Sequence, residues 1–180
     1  MIHLILGGAR SGKSRFAESQ VEHCENNLIY VATATAGDNE MAKRIAMHQE
    51  RRSDSWKLIE EPLHLSQIIE KHSTVENTLL IECLTLWLSN WLCRGDQHSW
   101  QVERTAFIKA LHATQAKVII VSNEVGSGVV PLGELSRDFV DQAGWLNQTL
   151  AQVADKVTLV VAGCPVDLTP HQSEASQQNR

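Results

Sequence analysis

An α/β fold, built on a mostly parallel, doubly wound sheet with helices on both faces, is predicted by three features of the 180-residue chain. Short apolar runs rich in β-branched residues recur along it, as strands covered on both faces require. Segments with helical apolar spacing separate those runs, the alternation that produces parallel sheets. A glycine-rich turn follows the first run directly, at the strand end where open α/β sheets place ligands.

The elements follow in order. Residues 2–6 read as the first strand and residues 7–14 as the loop, with a helix starting near Lys13. Residues 28–33 form the second run, 78–83, 117–122 and 157–162 the later ones, and 56–60 a weaker candidate. Residues 38–52 begin with a capping residue, Asp38, and read as a helix. Leu84, Trp87, Leu88, Trp91 and Leu92 keep the i, i+3, i+4, i+7, i+8 spacing of an amphipathic helix. Residues 94–98, Arg-Gly-Asp-Gln-His, break it as a surface loop, after which Trp100, Phe107, Ala110 and Leu111 start another apolar face. Leu135, Phe139, Leu146 and Leu150 keep a similar stripe. Residues 171–180 are polar and without periodicity, so a frayed tail is expected after a single domain spanning 1–170.

Composition narrows the function classes. At 20.0 kDa the chain is long enough for a proper core. A formal charge of −5 with a pI near 5.9 leaves no basic stripe to release phosphate counterions, so nucleic acid is not an expected partner. The cysteines, Cys24, Cys83, Cys93 and Cys164, lie far apart with no C-x-x-C pair. They indicate neither zinc nor redox chemistry and are expected as buried small hydrophobes in a reducing compartment. The first apolar run is too short for a signal-peptide core, and no later run approaches a membrane span, which predicts a soluble, cytoplasmic protein.

Gly7, Gly8, Ala9, Arg10, Ser11, Gly12, Lys13 and Ser14 complete the pattern G-x-x-x-x-G-K-[ST]. Polyphosphate must be wrapped at close range by backbone N–H groups, and glycine permits that approach in mixed φ/ψ regions. Lys13 would reach the β- and γ-phosphates, Ser14 would ligate Mg²⁺, and the following helix would aim its positive end at the anion. With a strand before it and a helix after it, the pattern points to a nucleoside triphosphate and is silent about the reaction.

A second constellation lies in the basic helix. Arg44, His48 and Arg51 or Arg52 share one face, so one imidazole sits among guanidiniums. That setting favours neutral imidazole and gives phosphate oxygens partners, as a nucleophile needs, but from the residues alone a solvated basic face with an incidental histidine is the reading to prefer. The carboxylates are third. Glu82 closes an apolar run, where an acidic residue touches Mg²⁺ directly or through water, or else caps the next helix. Glu124 ends another run and leads into the glycine-rich residues 125–131, either a cover for a substrate or a plain connection. Glu60 and Glu61 end the weaker run and face the same crevice in this reading.

The loop 7–14, followed by Tyr30-Val31-Ala32-Thr33, Glu40-Met41, Arg44-Ile45, His48, Arg51-Arg52, Trp56 and Glu60, resembles the bifunctional adenosylcobinamide kinase/adenosylcobinamide-phosphate guanylyltransferase family. Residues 80–85 and 123–131, then Arg137, Gly144 and Asn147-Gln148, are similar to that family's patterns in the same order. The likeness runs from about residue 2 to residue 163. It implies an enzyme of cobalamin assembly that phosphorylates the aminopropanol hydroxyl of adenosylcobinamide and then transfers GMP from GTP onto that phosphate. GTP and ATP as substrates, Mg²⁺, a corrinoid partner, a RecA-like P-loop NTPase sheet and a homotrimeric assembly come with it.

In such a family the transfer passes through a guanylylated histidine, and the motif match puts that residue at His48. Lys13 would share the catalytic work by carrying charge on the leaving pyrophosphate. Beyond the loop itself, the implied nucleotide contacts are Ala32, Thr33, Ala34, Gln49, Glu50, Arg51, Arg52, Glu60 and Glu82, with Ser14 and Glu82 at the metal. Three positions depart from the pattern: Ser53 where proline often follows the arginine pair, Val140 where many members have arginine, and Met47 where some carry a second histidine. A kinase without nucleotidyl transfer and a P-loop ATPase switch remain as alternative readings.

Overall fold

The computed structural model describes residues 1–21, 26–34, 56–129 and 131–169. Seven strands form one sheet: β1 (Ile2–Gly7), β2 (Asn27–Ala32), β3 (Trp56–Glu60), β4 (Asn77–Glu82), β5 (Lys117–Asn123), β6 (Lys156–Val161) and β7 (Cys164–Asp167). Their spatial order is β3-β2-β4-β5-β1-β6-β7. All neighbours pair in parallel except β6 and β7, which form an antiparallel hairpin. The described helices are α1 (Lys13–Ser19), α2 (Leu65–Lys71), α3 (Leu84–Arg94), α4 (Gln97–Ala113) and α5 (Glu134–Val153).

Alternation along the strands divides the apolar side chains between two cores. Ile2 and Leu4, Ile29 and Val31, Leu79 and Ile81, Val118 and Ile120 join the larger core under α2 to α5. Ile5, Tyr30, Leu80, Ile119 and Val121 point the other way and pack with Ala17 of α1. Burial on both faces explains why the runs read as continuous rather than alternating, and it bears out the expectation of helices on both sides.

The larger core is centred on aromatic rings. Trp87 is fully buried, with ring centroids 4.9 Å from both Trp100 and Phe107. Its indole N–H and that of Trp91 both donate to the Leu63 carbonyl, at 2.7 and 3.2 Å, so the polar edge of each ring is satisfied inside the core. Asn90 of the same helix donates to the carbonyls of Thr33 and Pro62, at 2.8 and 3.1 Å. These bonds fix α3 against the chain leaving β2 and β3.

Five expectations need correction. The break at 94–98 shrinks to two residues, because Gly95 takes a left-handed φ of 71° to end α3 and the Asp96 carboxylate caps α4 through the Ser99 N–H. Chain after residue 161 turns back through Ala162 and Gly163 as β7, a short and fully exposed strand that hydropathy does not signal. Helix α2 was missed because one turn of Leu65, Ile68 and Ile69 is too short for a periodic pattern. Of the cysteines, Cys83 is buried as expected, whereas Cys93 and Cys164 are exposed; Cys24 lies outside the described residues. Leu135 does not join the core stripe and is 62% exposed at the start of α5. The helix read at 38–52 and the tail 171–180 also fall outside the described residues.

Beneath α1, His3 is buried on the sheet, with its Nε2 2.9 Å from the Thr158 hydroxyl and its ring edge-on to Phe16. Burial, reinforced by Lys156 and Lys117 and opposed by Asp167, lowers its pKa from 6.5 to about 4. The folded state thus holds the neutral ring, so its contribution is intact above the unfolded pKa and is lost as pH falls from about 6.5 toward 4. Urea unfolding at pH 7 and pH 4 should show a decrement of about 3 kcal/mol attributable to this group. His3→Gln, which keeps a polar atom near Thr158, should remove that share of the acid loss; an unchanged pH dependence would refute the assignment.

Candidate active site

The parallel strands end together, and the candidate groups collect at that edge. Gly7 is the last residue of β1 and pairs in register with Asn123 of β5. Glu82 of β4 lies between Ala32 of β2 and Val121 of β5, and Glu60 of β3 stands on the far side of Ala32. From Gly7 the chain rises through the loop and enters α1 at Lys13.

Tight local geometry makes that loop. Arg10 and Gly12 both take left-handed φ values, 57° and 93°. A Cβ on Gly7 would meet the Ser11 hydroxyl at 2.5 Å and the Val160 carbonyl at 2.6 Å, and one on Gly12 would meet the Gly163 Cα at 3.2 Å. The Gly163 N–H donates to the Ser11 carbonyl at 2.8 Å, so the β6–β7 turn clamps the loop from outside. Glycine is needed at both positions, at Gly7 for space and at Gly12 for conformation as well. Gly8, Ala9 and Arg10 are exposed along the loop's outer rim.

Lys13 is buried and lies back over the loop, its ammonium donating to the Gly8 carbonyl at 3.1 Å. Burial lowers its pKa from the usual 10.5, against the opposing pull of Cys83 and Glu82. The Ser14 hydroxyl donates to Glu82 Oε1, and the Tyr30 hydroxyl donates to Glu82 Oε2 at 2.9 Å. The capping reading of Glu82 finds no bond: the N-cap of α3 is Cys83, with no side-chain capping bond, while the Glu82 oxygens are taken up by Ser14 and Tyr30. Thr33 is fully buried, bonded through its N–H to the Glu82 carbonyl and through its hydroxyl to the Cys83 carbonyl. Ala32 and Ala34 flank it and are half-buried.

Other expected positions separate in role. Glu60 is exposed at its strand end, whereas Glu61 Oε1 accepts from the Leu63 and His64 N–H groups, both at 2.8 Å, and shapes the entry to α2. Glu124 accepts from the Gly126 and Ser127 N–H groups at 2.8 and 3.2 Å, and bonds from Ser127 hold its pKa below the usual carboxylate value. That carboxylate therefore organises the start of its loop, while its own N–H donates to the Gly7 carbonyl at 3.1 Å. Val129 and Leu132 in the same connection are almost fully exposed. His48, Gln49, Glu50, Arg51 and Arg52 lie outside the described residues.

Sequence reasoning missed Tyr30, Gly163 and the Asn123–Asn147 pair as parts of this edge. Tyr30 entered only within the segment Tyr30 to Thr33, without a role, and its register opposite Leu80, two positions before Glu82, is what brings it to the site. Gly163 was legible as a glycine directly after an apolar run.

A glycine loop closed by a buried lysine, a serine hydroxyl at the helix start and a carboxylate at a neighbouring strand end define a P-loop nucleotide-binding α/β protein. The fold agrees: a Pyrococcus horikoshii OT3 protein superposes with a TM-score of 0.55 at 8% identity, covering 96% of this chain and 88% of that one. An ATPase of the type III secretion system of pathogenic bacteria gives 0.50 at 12% identity, covering 88% of this chain and 50% of that one.

The family model for cobinamide kinase / cobinamide phosphate guanyltransferase matches residues 3–168. A bifunctional adenosylcobalamin biosynthesis protein of Pseudomonas aeruginosa, CobP, is 49% identical, covering 93% of this chain and 97% of the relative. The CobU proteins of Salmonella typhimurium and Escherichia coli are 39% and 36% identical, each over 93% of this chain and 99% of the relative. The chain belongs to the cobinamide kinase / cobinamide phosphate guanyltransferase family. Among the described residues no helix is long and apolar enough to cross a membrane.

Gly12→Ala should cost about 1–3 kcal/mol in chemical denaturation, because the added Cβ is both strained and crowded. The same change should weaken a fluorescent GTP analogue by roughly tenfold or more in direct titration. A control such as Ala113→Ser, at the far end of α4, should alter neither.

Proposed function

We propose that this protein phosphorylates adenosylcobinamide with a nucleoside triphosphate and then guanylylates the product, giving adenosylcobinamide-GDP and pyrophosphate. The observation that carries the reading is a family match over residues 3–168 coinciding with an intact phosphate loop whose Lys13 and Ser14 adjoin Glu82. GTP serves the second step, and ATP or GTP the first.

In the kinase step Lys13 balances charge on the transferred γ-phosphoryl group while the loop amides hold the polyphosphate in line. Ser14 and Glu82 offer hard oxygen donors, the chemistry Mg²⁺ selects, and they are already in contact; the described residues contain no cluster of three or more His, Cys, Asp or Glu side chains. Those two residues would hold the ion, which neutralises phosphate charge when bound. Tyr30 keeps the Glu82 carboxylate turned toward Ser14.

In the transferase step an imidazole nitrogen of His48 attacks the α-phosphorus of GTP. An N–P bond forms, the bond from the α-phosphorus to the bridging oxygen breaks, and pyrophosphate leaves. A phosphate oxygen of adenosylcobinamide phosphate then displaces the histidine, forming P–O–P and returning the ring nitrogen. Support for His48 is its motif position among Arg44, Arg51 and Arg52, which offer partners for phosphate oxygens.

The decisive experiment incubates the protein and His48→Ala with Mg²⁺ and GTP labelled at the α- or the γ-phosphate. Acid-labile, alkali-stable α-label on denatured wild type, absent from the variant, is the expected result. Label retained by the variant would assign the nucleophile elsewhere. Wild type without α-label but with cobinamide-dependent γ-transfer would leave a kinase alone.

A further inference from the structure

Among the described residues, three buried side-chain polar atoms find no hydrogen-bond partner: Ser11 Oγ, Asn123 Oδ1 and Asn147 Oδ1. Ser11 belongs to the phosphate loop, where its hydroxyl sits against Gly7. The two asparagines are not accounted for by the nucleotide. They adjoin each other: Asn147 of α5 donates through Nδ2 to the Asn123 backbone carbonyl at 3.3 Å, and Asn123 Nδ2 donates to the Thr85 hydroxyl at 3.0 Å.

The chemistry of the contact fixes which end of the Asn147 amide is left over, and for Asn123 it allows the same end. Asn147 must turn its NH₂ to the Asn123 carbonyl, because a carbonyl only accepts, so its own oxygen is the remaining group. Thr85 stands 3.0 Å from the Cys83 thiol and can give its proton in that direction, which lets it accept from Asn123 and leaves the Asn123 oxygen over as well. Two buried acceptors without donors, on adjoining residues, demand an explanation. Both lie at the carboxyl edge of the sheet, where Asn123 is paired with Gly7 and Thr85 stands three positions beyond Glu82.

We infer that Asn123 and Asn147 form the binding point for the arm of the phosphoryl acceptor, taking hydrogen bonds from its hydroxyl or amide N–H and presenting the hydroxyl to the nucleotide. The inference rests on the proposed function and adds to it the residues that recognise the acceptor. A pair of neutral acceptors suits a neutral, donor-bearing arm. It offers nothing to phosphate or to a carboxylate, which bring acceptors of their own. The phosphate loop on the neighbouring strand end takes the anionic substrate, so the two substrates are sorted by hydrogen-bond polarity.

The test measures steady-state kinetics with adenosylcobinamide, GTP-analogue binding and thermal unfolding for wild type, Asn147→Ala and Asn123→Ala, and repeats the kinetics with an alkylamide corrinoid lacking the arm hydroxyl as competitor. Each variant is expected to raise KM for adenosylcobinamide by roughly tenfold, the loss of one desolvated hydrogen bond, with nucleotide affinity unchanged within about twofold. The hydroxyl-free competitor keeps the amide N–H alone, so it should inhibit wild type and one variant alike and the other about tenfold more weakly; equal potency against all three would overturn the inference. Variants that lose thermal stability but keep KM would show the asparagines to be structural, their oxygens met by buried water, and would overturn the inference alone. Wild type that turns over no adenosylcobinamide would overturn the functional reading, and this inference with it.

Discussion

Parallel pairing in fixed register is the constraint on which the rest of this structure depends. Because side chains alternate faces, a one-residue slip of β4 against β2 or β5 would carry Leu79 and Ile81 out of the larger core and put Glu82 on the wrong side of the sheet. Among the described residues, thirty-two buried apolar side chains fill the cores on the two faces, and those packed against β4 penalise such a slip. The same register that satisfies the cores therefore aligns Gly7, Ala32, Glu82 and Asn123 along one edge. Position at the site is a by-product of packing, and no residue of the edge needs to specify its own place.

The phosphate loop adds a second, more local constraint. Its left-handed residues cost conformational energy, which something outside the loop must offset. The β6–β7 turn supplies it through the Gly163–Ser11 bond and the close approach to Gly12. An antiparallel strand at the edge of a parallel sheet thereby gains a reason: β7 holds the turn that holds the loop. Its pairing, Val161 with Cys164, places the reversal directly beside the strand carrying Gly7.

Most of this was legible in the residues because burial on both faces leaves a strong signal. The strand runs came within a residue or two of their observed bounds, and even the weaker run at 56–60 matched β3. Signals failed where structure is made by exposed or very short segments: β7 is solvent-facing throughout, and α2 is two turns long. Glu82 stayed ambiguous in the residues, since a carboxylate after a strand serves a cap or a site equally well until its partners are seen. Its contacts to Ser14 and Tyr30, 68 and 52 residues away in sequence, are invisible to any local pattern. Glu124, read only as the end of a run before a glycine-rich loop, proves to organise the start of that loop.

Polar satisfaction distinguishes the edge from the interior. Inside, buried polar groups are matched: His3 with Thr158, and Ser66 with the Glu103 carboxylate through both N–H and hydroxyl. A core that satisfies such groups has the means to satisfy two more asparagines, or to replace them with apolar residues at little cost. Instead, among the described residues, the unmatched atoms collect in the phosphate loop and beside it, at the carboxyl edge. Incomplete hydrogen bonding confined to one edge is what a binding crevice requires, since groups already paired within the protein have nothing to offer a ligand, and the cost of leaving them open is recovered only where a ligand closes them.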